Sequence, residues 1–99
     1  MYYLKTSAEF DSAHFLSGYD GKCSNLHGHR WKIEVQASET ELQKTGQCRG
    51  MVIDFGDLKK AVRKIADHFD HALLYEDGTL KEKTIDSLKE ENFRIIALP

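Results

Sequence analysis

The chain has one proline, two cysteines and no long apolar run in 99 residues. Each scarcity removes a class of protein. No apolar stretch approaches the ~20 residues that cross a bilayer as a helix, so no membrane span or membrane partner is expected. The opening Met1-Tyr2-Tyr3-Leu4-Lys5 has no basic segment followed by an apolar run, which is what a secretion signal needs. Two cysteines do not make a disulfide framework. Without an export signal they fit a reducing, cytoplasmic compartment, where a Cys23–Cys48 bridge is not expected. There is no basic excess: 14 Lys and Arg stand against 16 Asp and Glu, for a net charge of −2. That balance gives no reason to expect nucleic acid or an acidic membrane surface as a partner. There are no repeats, no low-complexity tracts and no break in composition, so residues 1–99 are expected to form one domain.

What the chain does have is an unusual group of imidazoles. In Cys23-Ser24-Asn25-Leu26-His27-Gly28-His29 a thiol precedes two histidines spaced i, i+2, and His14 stands thirteen residues before His27. Residues 2–14 read as a strand. Tyr2, Leu4, Thr6, Ala8 and Phe10 alternate with Tyr3, Lys5, Ser7, Glu9 and Asp11, and His14 continues the apolar row. Residues 27–37 read as a second strand, in which His27 and His29 extend the row of Trp31, Ile33, Val35 and Ala37. The segment between them is irregular, with a turn at Tyr19-Asp20-Gly21. If the two strands pair as an antiparallel hairpin, the end of the first lies beside the start of the second. All three histidines then gather at one end of the inner face.

The rest of the chain suggests cover for that face. Residues 39–49 are polar and expected in a loop. Asp54 is a candidate N-cap. Leu58, Ala61, Val62, Ile65, Ala66 and Phe69 follow at helical spacing, opposite Lys59, Lys60, Arg63 and Lys64. The helix is expected to end near His68 and leave Asp70-His71 in a turn. A shorter helix within residues 79–91 and a final strand over residues 93–98 complete the reading.

Three neutral imidazoles around one cation leave a fourth position open, the arrangement of a catalytic zinc site. Zinc is the preferred ion, although iron, nickel and cobalt also accept imidazoles. The bland alternative is that these histidines are ordinary turn and strand-end residues. Cys23 has three readings: a fourth ligand closing a structural site, a thiolate base beside the metal favoured by the positive charge of the ion and Lys22, or a partly buried small side chain. Asp70-His71 fits an orienting carboxylate with a proton-transferring imidazole. Spacing by itself favours the simpler role, a histidine at the negative end of a helix dipole. His68 is expected to face solvent, and Cys48 has no evident partner.

Four blocks in order resemble one family: Phe10-Asp11-Ser12-Ala13-His14-Phe15-Leu16, Lys22 to His29, Gly50-Met51-Val52-Ile53-Asp54-Phe55-Gly56-Asp57-Leu58, and Phe69-Asp70-His71. They are similar to the 6-pyruvoyl-tetrahydropterin synthase and 6-carboxy-tetrahydropterin synthase family. The four-residue step from Cys23 to His27 resembles the bacterial carboxy-forming branch of the queuosine pathway. The resemblance implies the tunnelling fold, an α+β arrangement of antiparallel sheet with helices on one face. It also implies a homo-oligomer, a Zn2+ ion on His14, His27 and His29, and a small-molecule pterin substrate. Within it Cys23, Asp70 and His71 would be the catalytic groups. The implied reaction converts 7,8-dihydroneopterin triphosphate to 6-carboxy-5,6,7,8-tetrahydropterin, with acetaldehyde and triphosphate released. Alternatives are pyruvoyl-tetrahydropterin formation or a zinc-binding segment without catalysis. Members of the family normally continue past the position of Pro99 with a Thr-Glu-containing helix and a second hairpin, so the pterin-anchoring glutamate is expected beyond this chain.

Overall fold

A computed structural model describes residues Met1–Pro99. Its elements are β1 (Tyr2–His14), a single 3-10 turn at Lys22–Ser24, β2 (His27–Glu39), α1 (Phe55–Phe69), β3 (Leu73–Glu76), α2 (Glu82–Glu90) and β4 (Ile95–Leu98). The four strands form one sheet in the order β2-β1-β3-β4.

β1 and β2 form the expected hairpin. As β1 advances from Lys5 through Asp11 to His14, the side chains it meets on β2 step back from Glu34 through Arg30 to His27. That descending register is antiparallel. Alternation holds along β2, where Trp31, Ile33, Val35 and Ala37 are half-buried between exposed neighbours. On β1 the buried row is Ala8, Phe10 and Ser12, while Tyr2 at the strand's start is exposed.

Beyond the hairpin the pairing changes. β3 runs parallel to β1, with Ala13 opposite Leu73 and His14 opposite Leu74, and β4 runs parallel to β3. The sheet is therefore mixed rather than wholly antiparallel. The cause is connectivity. α2 carries the chain back before β4 starts, and a strand reached through such a crossover points the same way as the one it left.

The chain divides into two compact units, and β1 and β2 contribute to both. The first comprises Met1–Glu9 and Lys32–His68. It holds nearly all of α1 and buries Ala8, Val62 and Ala66. Asp54 caps α1 as expected: its Oδ1 accepts the Asp57 N–H at 3.0 Å and its carbonyl accepts the Leu58 N–H at 3.1 Å. The second unit comprises Phe10–Trp31 and Phe69–Pro99 and carries every chemically interesting group named so far except Cys48 and His68. Its buried residues are Phe10, Ser12, Ala72, Leu74 and Tyr75. No helix is long and apolar enough to cross a membrane.

Candidate metal and proton-transfer site

Alternation along the two strands brings His14, His27 and His29 together. Their ring centroids are 4.5 to 4.9 Å apart. One nitrogen from each lies within 4.8 Å of the others, and no thiol or carboxylate belongs to the group. Imidazole nitrogens around one tetrahedral zinc stand about 3.3 Å apart, so small ring rotations separate this cluster from a ligand set. Trp31 backs the cluster, edge-on to His14 at 4.8 Å and to His29 at 5.5 Å. The indole is itself fixed. It stacks on Phe10 at 6.1 Å and donates its Nε1–H to the Ser12 carbonyl at 3.1 Å.

The donor set fits a metal on three counts. His14 Nε2 and His27 Nε2 are buried with no hydrogen-bond partner, a costly state for polar atoms that a cation would relieve. His27 Nδ1 lies 2.7 Å from the Asn25 carbonyl. A carbonyl only accepts, so Nδ1 carries the proton and Nε2 presents its lone pair, the tautomer of a metal-ligating histidine. Burial, followed by the proximity of His27 and His29, holds the His14 imidazole below the usual histidine range. Neutral imidazole is the form that ligates.

Asp70 and His71 occupy the turn between α1 and β3. Adjacent side chains rarely meet, but here His71 Nδ1 is 2.9 Å from Asp70 Oδ2. The backbone makes this possible: His71 has φ 53, in the left-handed region that non-glycine residues avoid. The other carboxylate oxygen, Asp70 Oδ1, accepts the Asp11 N–H at 2.9 Å. That backbone bond first, and the His71 contact second, hold the Asp70 carboxyl below the usual carboxylate range, with Arg94 adding a smaller attraction. The His71 side chain remains 80% exposed, open to a ligand. The structure thus pairs the His71 ring with its neighbouring carboxylate, the arrangement that spacing by itself did not favour.

Cys23 is half-buried in the 3-10 turn. Its carbonyl accepts the Leu16 N–H at 2.8 Å, which ties the loop after β1 to the segment before β2. It is not in a disulfide, and neither is Cys48. His68 is exposed on α1. A cavity of about 710 Å³ has His29 and His71 in its walls, with Asp11, Arg30, Leu26 and Phe93, while His14, His27 and Cys23 do not line it.

Sequence reasoning passed over three supporting groups. Ser12 bonds the turn, Trp31 backs the histidines, and Asp11 engages the turn through its backbone while its carboxylate pairs with Arg30 at 3.1 Å. Only Ser12 carried a signal, a hydroxyl between Phe10 and His14 on the core-facing row.

The family model described as 6-pyruvoyl tetrahydropterin synthase matches residues 3–97. The chain belongs to that family. A 6-carboxy-5,6,7,8-tetrahydropterin synthase of Haemophilus influenzae is 43% identical over 101 residues, covering 100% of this chain and 71% of the relative. Namesakes in Rickettsia felis and Synechocystis are 42% identical over 67% of the chain and 33% identical over 89% of it. The chain spans 46% and 69% of their lengths. A crystal structure of an uncharacterised protein from Wolinella succinogenes shares the fold, with a TM-score of 0.69 at 24% identity, over 91% of this chain and 53% of that one. Membership of the family accords with the α+β architecture, a four-stranded sheet with two helices.

Proposed function

We propose that this member of the 6-pyruvoyl tetrahydropterin synthase family is a zinc-dependent lyase acting on 7,8-dihydroneopterin triphosphate. With one water consumed, the product is 6-carboxy-5,6,7,8-tetrahydropterin, with acetaldehyde and triphosphate released, in the queuosine branch. The name shared by its relatives in Haemophilus, Rickettsia and Synechocystis supports the carboxy-forming activity. The observation that carries the chemistry is the pair of orphaned Nε2 atoms on His14 and His27 beside His29.

His14, His27 and His29 hold the ion, and the chemistry a zinc ion supplies there is Lewis acidity toward negative charge developing on substrate oxygen. The protein's own groups do the rest. The Asn25 carbonyl fixes the His27 tautomer, and Trp31 limits how far the His14 and His29 rings turn. Cys23 is the group assigned to remove a proton from the substrate side chain. His71 receives and returns protons at Nε2, because Nδ1 is committed to Asp70. Asp70 keeps its charge through the Asp11 N–H and so orients the imidazole and stabilises it when protonated. The cavity shared by His29 and His71 is of a size that takes a small organic molecule.

The test is acetaldehyde release from 7,8-dihydroneopterin triphosphate, measured before and after chelation and after zinc is restored, with the pterin product identified by mass spectrometry. Release that disappears with chelation and returns with zinc is expected. Zinc bound without acetaldehyde sinks the lyase reading, and a pyruvoyl product moves the chain to the other branch.

A further inference from the structure

We propose that Ser12 is a positioning residue that holds the His71 imidazole in its working geometry. The proposal rests on the reading of His71 as a proton-transfer group. Ser12 is the only buried polar residue of the chain, 6% exposed. Its hydroxyl donates to the Phe69 carbonyl and accepts the Ala72 N–H at 3.1 Å. Those two groups bracket Asp70 and His71, so one side chain closes the turn that displays the pair. A hydroxyl suits this task because it donates and accepts at once.

The same turn is fastened to β1 at neighbouring points. Asp11 N–H reaches Asp70 Oδ1 at 2.9 Å, His71 N–H reaches the Asp11 carbonyl at 2.7 Å, and Ala13 N–H reaches the Ala72 carbonyl at 2.9 Å. Each of these uses a backbone group of β1. Phe10 of the same strand packs its ring on Phe69 at 5.9 Å, and Ser12 adds side-chain hydrogen bonds, a link that a substitution removes without touching Asp70 or His71. The link matters because His71 sits at φ 53. A non-glycine residue stays in that region only when its surroundings over-determine it. The Ser12 carbonyl meanwhile receives the Trp31 indole, so the strand that steadies the proton-transfer turn also steadies the wall of the histidine cluster. Removing the hydroxyl breaks the first arm and leaves the second.

The experiment compares Ser12→Ala and Ser12→Thr with the parent chain. It measures zinc content, kcat and KM for acetaldehyde release, and amide hydrogen exchange at Ala72. In Ser12→Ala exchange at Ala72 speeds up at least about tenfold and kcat falls about tenfold, while KM and zinc stay within about twofold. Ser12→Thr, which restores the hydroxyl, brings both back to within about threefold. If Ser12→Ala lacks native circular dichroism, Ser12→Cys, a closer match in volume, takes its place. Parental exchange at Ala72 overturns the proposal. So does a fall in kcat matched by lost zinc, or a threonine variant that folds but stays as slow as the alanine one. His71→Asn separates the two readings. Parental turnover in that variant, with fast Ala72 exchange in Ser12→Ala, removes His71 from the chemistry and leaves the clamp in place.

Discussion

The two imidazole sites of the second unit are built in opposite ways. The cluster of His14, His27 and His29 is under-satisfied: its rings crowd together and two buried nitrogens have no partner. The Asp70–His71 turn is over-satisfied: backbone, carboxylate and Ser12 hydroxyl bonds converge on four residues, and what remains open is the exposed imidazole. A site that lacks partners needs something from outside to complete it. A site that has them all holds one group ready. The contrast supports the proposed division between a metal-ligand set and a proton-transfer pair.

The sharpest way to break the comparison is to remove a member of the cluster. His29→Ala is expected to lower zinc affinity by more than about 100-fold, since residues that only support ligands are worth 10- to 100-fold. Zinc per chain, measured by atomic absorption after dialysis, checks this. An unchanged content takes His29 out of the set. Cys23→Ala is expected to keep its zinc and to lose turnover by about 100-fold or more, the usual weight of a proton-transferring group. Lost zinc in that variant would put the thiol back among the ligands, against its absence from the cluster. Asp70→Asn should cost less, about 10- to 100-fold in kcat with zinc unchanged, the usual weight of a group that orients a functional imidazole from behind. The exposed His71 ring loses its orienting charge but not its place in the chain.

The hairpin and its histidine row were legible because alternation is a local property: residues two apart share a face whatever follows. α1 was legible for the same reason, with Asp54 as a cap and a 3.6-residue stripe. β3 was not read. Leu73-Leu74-Tyr75-Glu76 is four residues long, apolar without alternation, and wedged between β1 and β4. Such strands carry no period of their own. Nor did the sequence disclose the parallel pairing, which depends on where α2 returns the chain. The Asp70–His71 contact has no signature in the spacing, because it requires a left-handed His71 and nothing in the residue type announces that conformation. The Ser12 clamp joins positions nearly sixty residues apart, a distance at which no spacing rule operates.

The smallest expected effect separates the two sites by pH. In the metal-free chain His14 has its imidazole pKa lowered by burial and by His27 and His29. As pH falls below about 6.5, the unfolded state takes up this proton first, so stability declines and levels off once the folded state is protonated too. Asp70 also has a lowered pKa, but as an acid. Its contribution is fully present above about 3.9 and is lost only as pH falls through the lower folded value. Stability against urea, followed by the single tryptophan, Trp31, which touches both His14 and His29, should therefore fall in two separate windows. His14→Gln removes the first and spares the second, and Asp70→Asn does the reverse. Zinc should erase the first window at pH 6 while leaving the second in place, because protons and metal compete for the imidazoles and not for the carboxylate. A first window that persists unchanged with zinc bound would mean that the ion sits somewhere other than on His14.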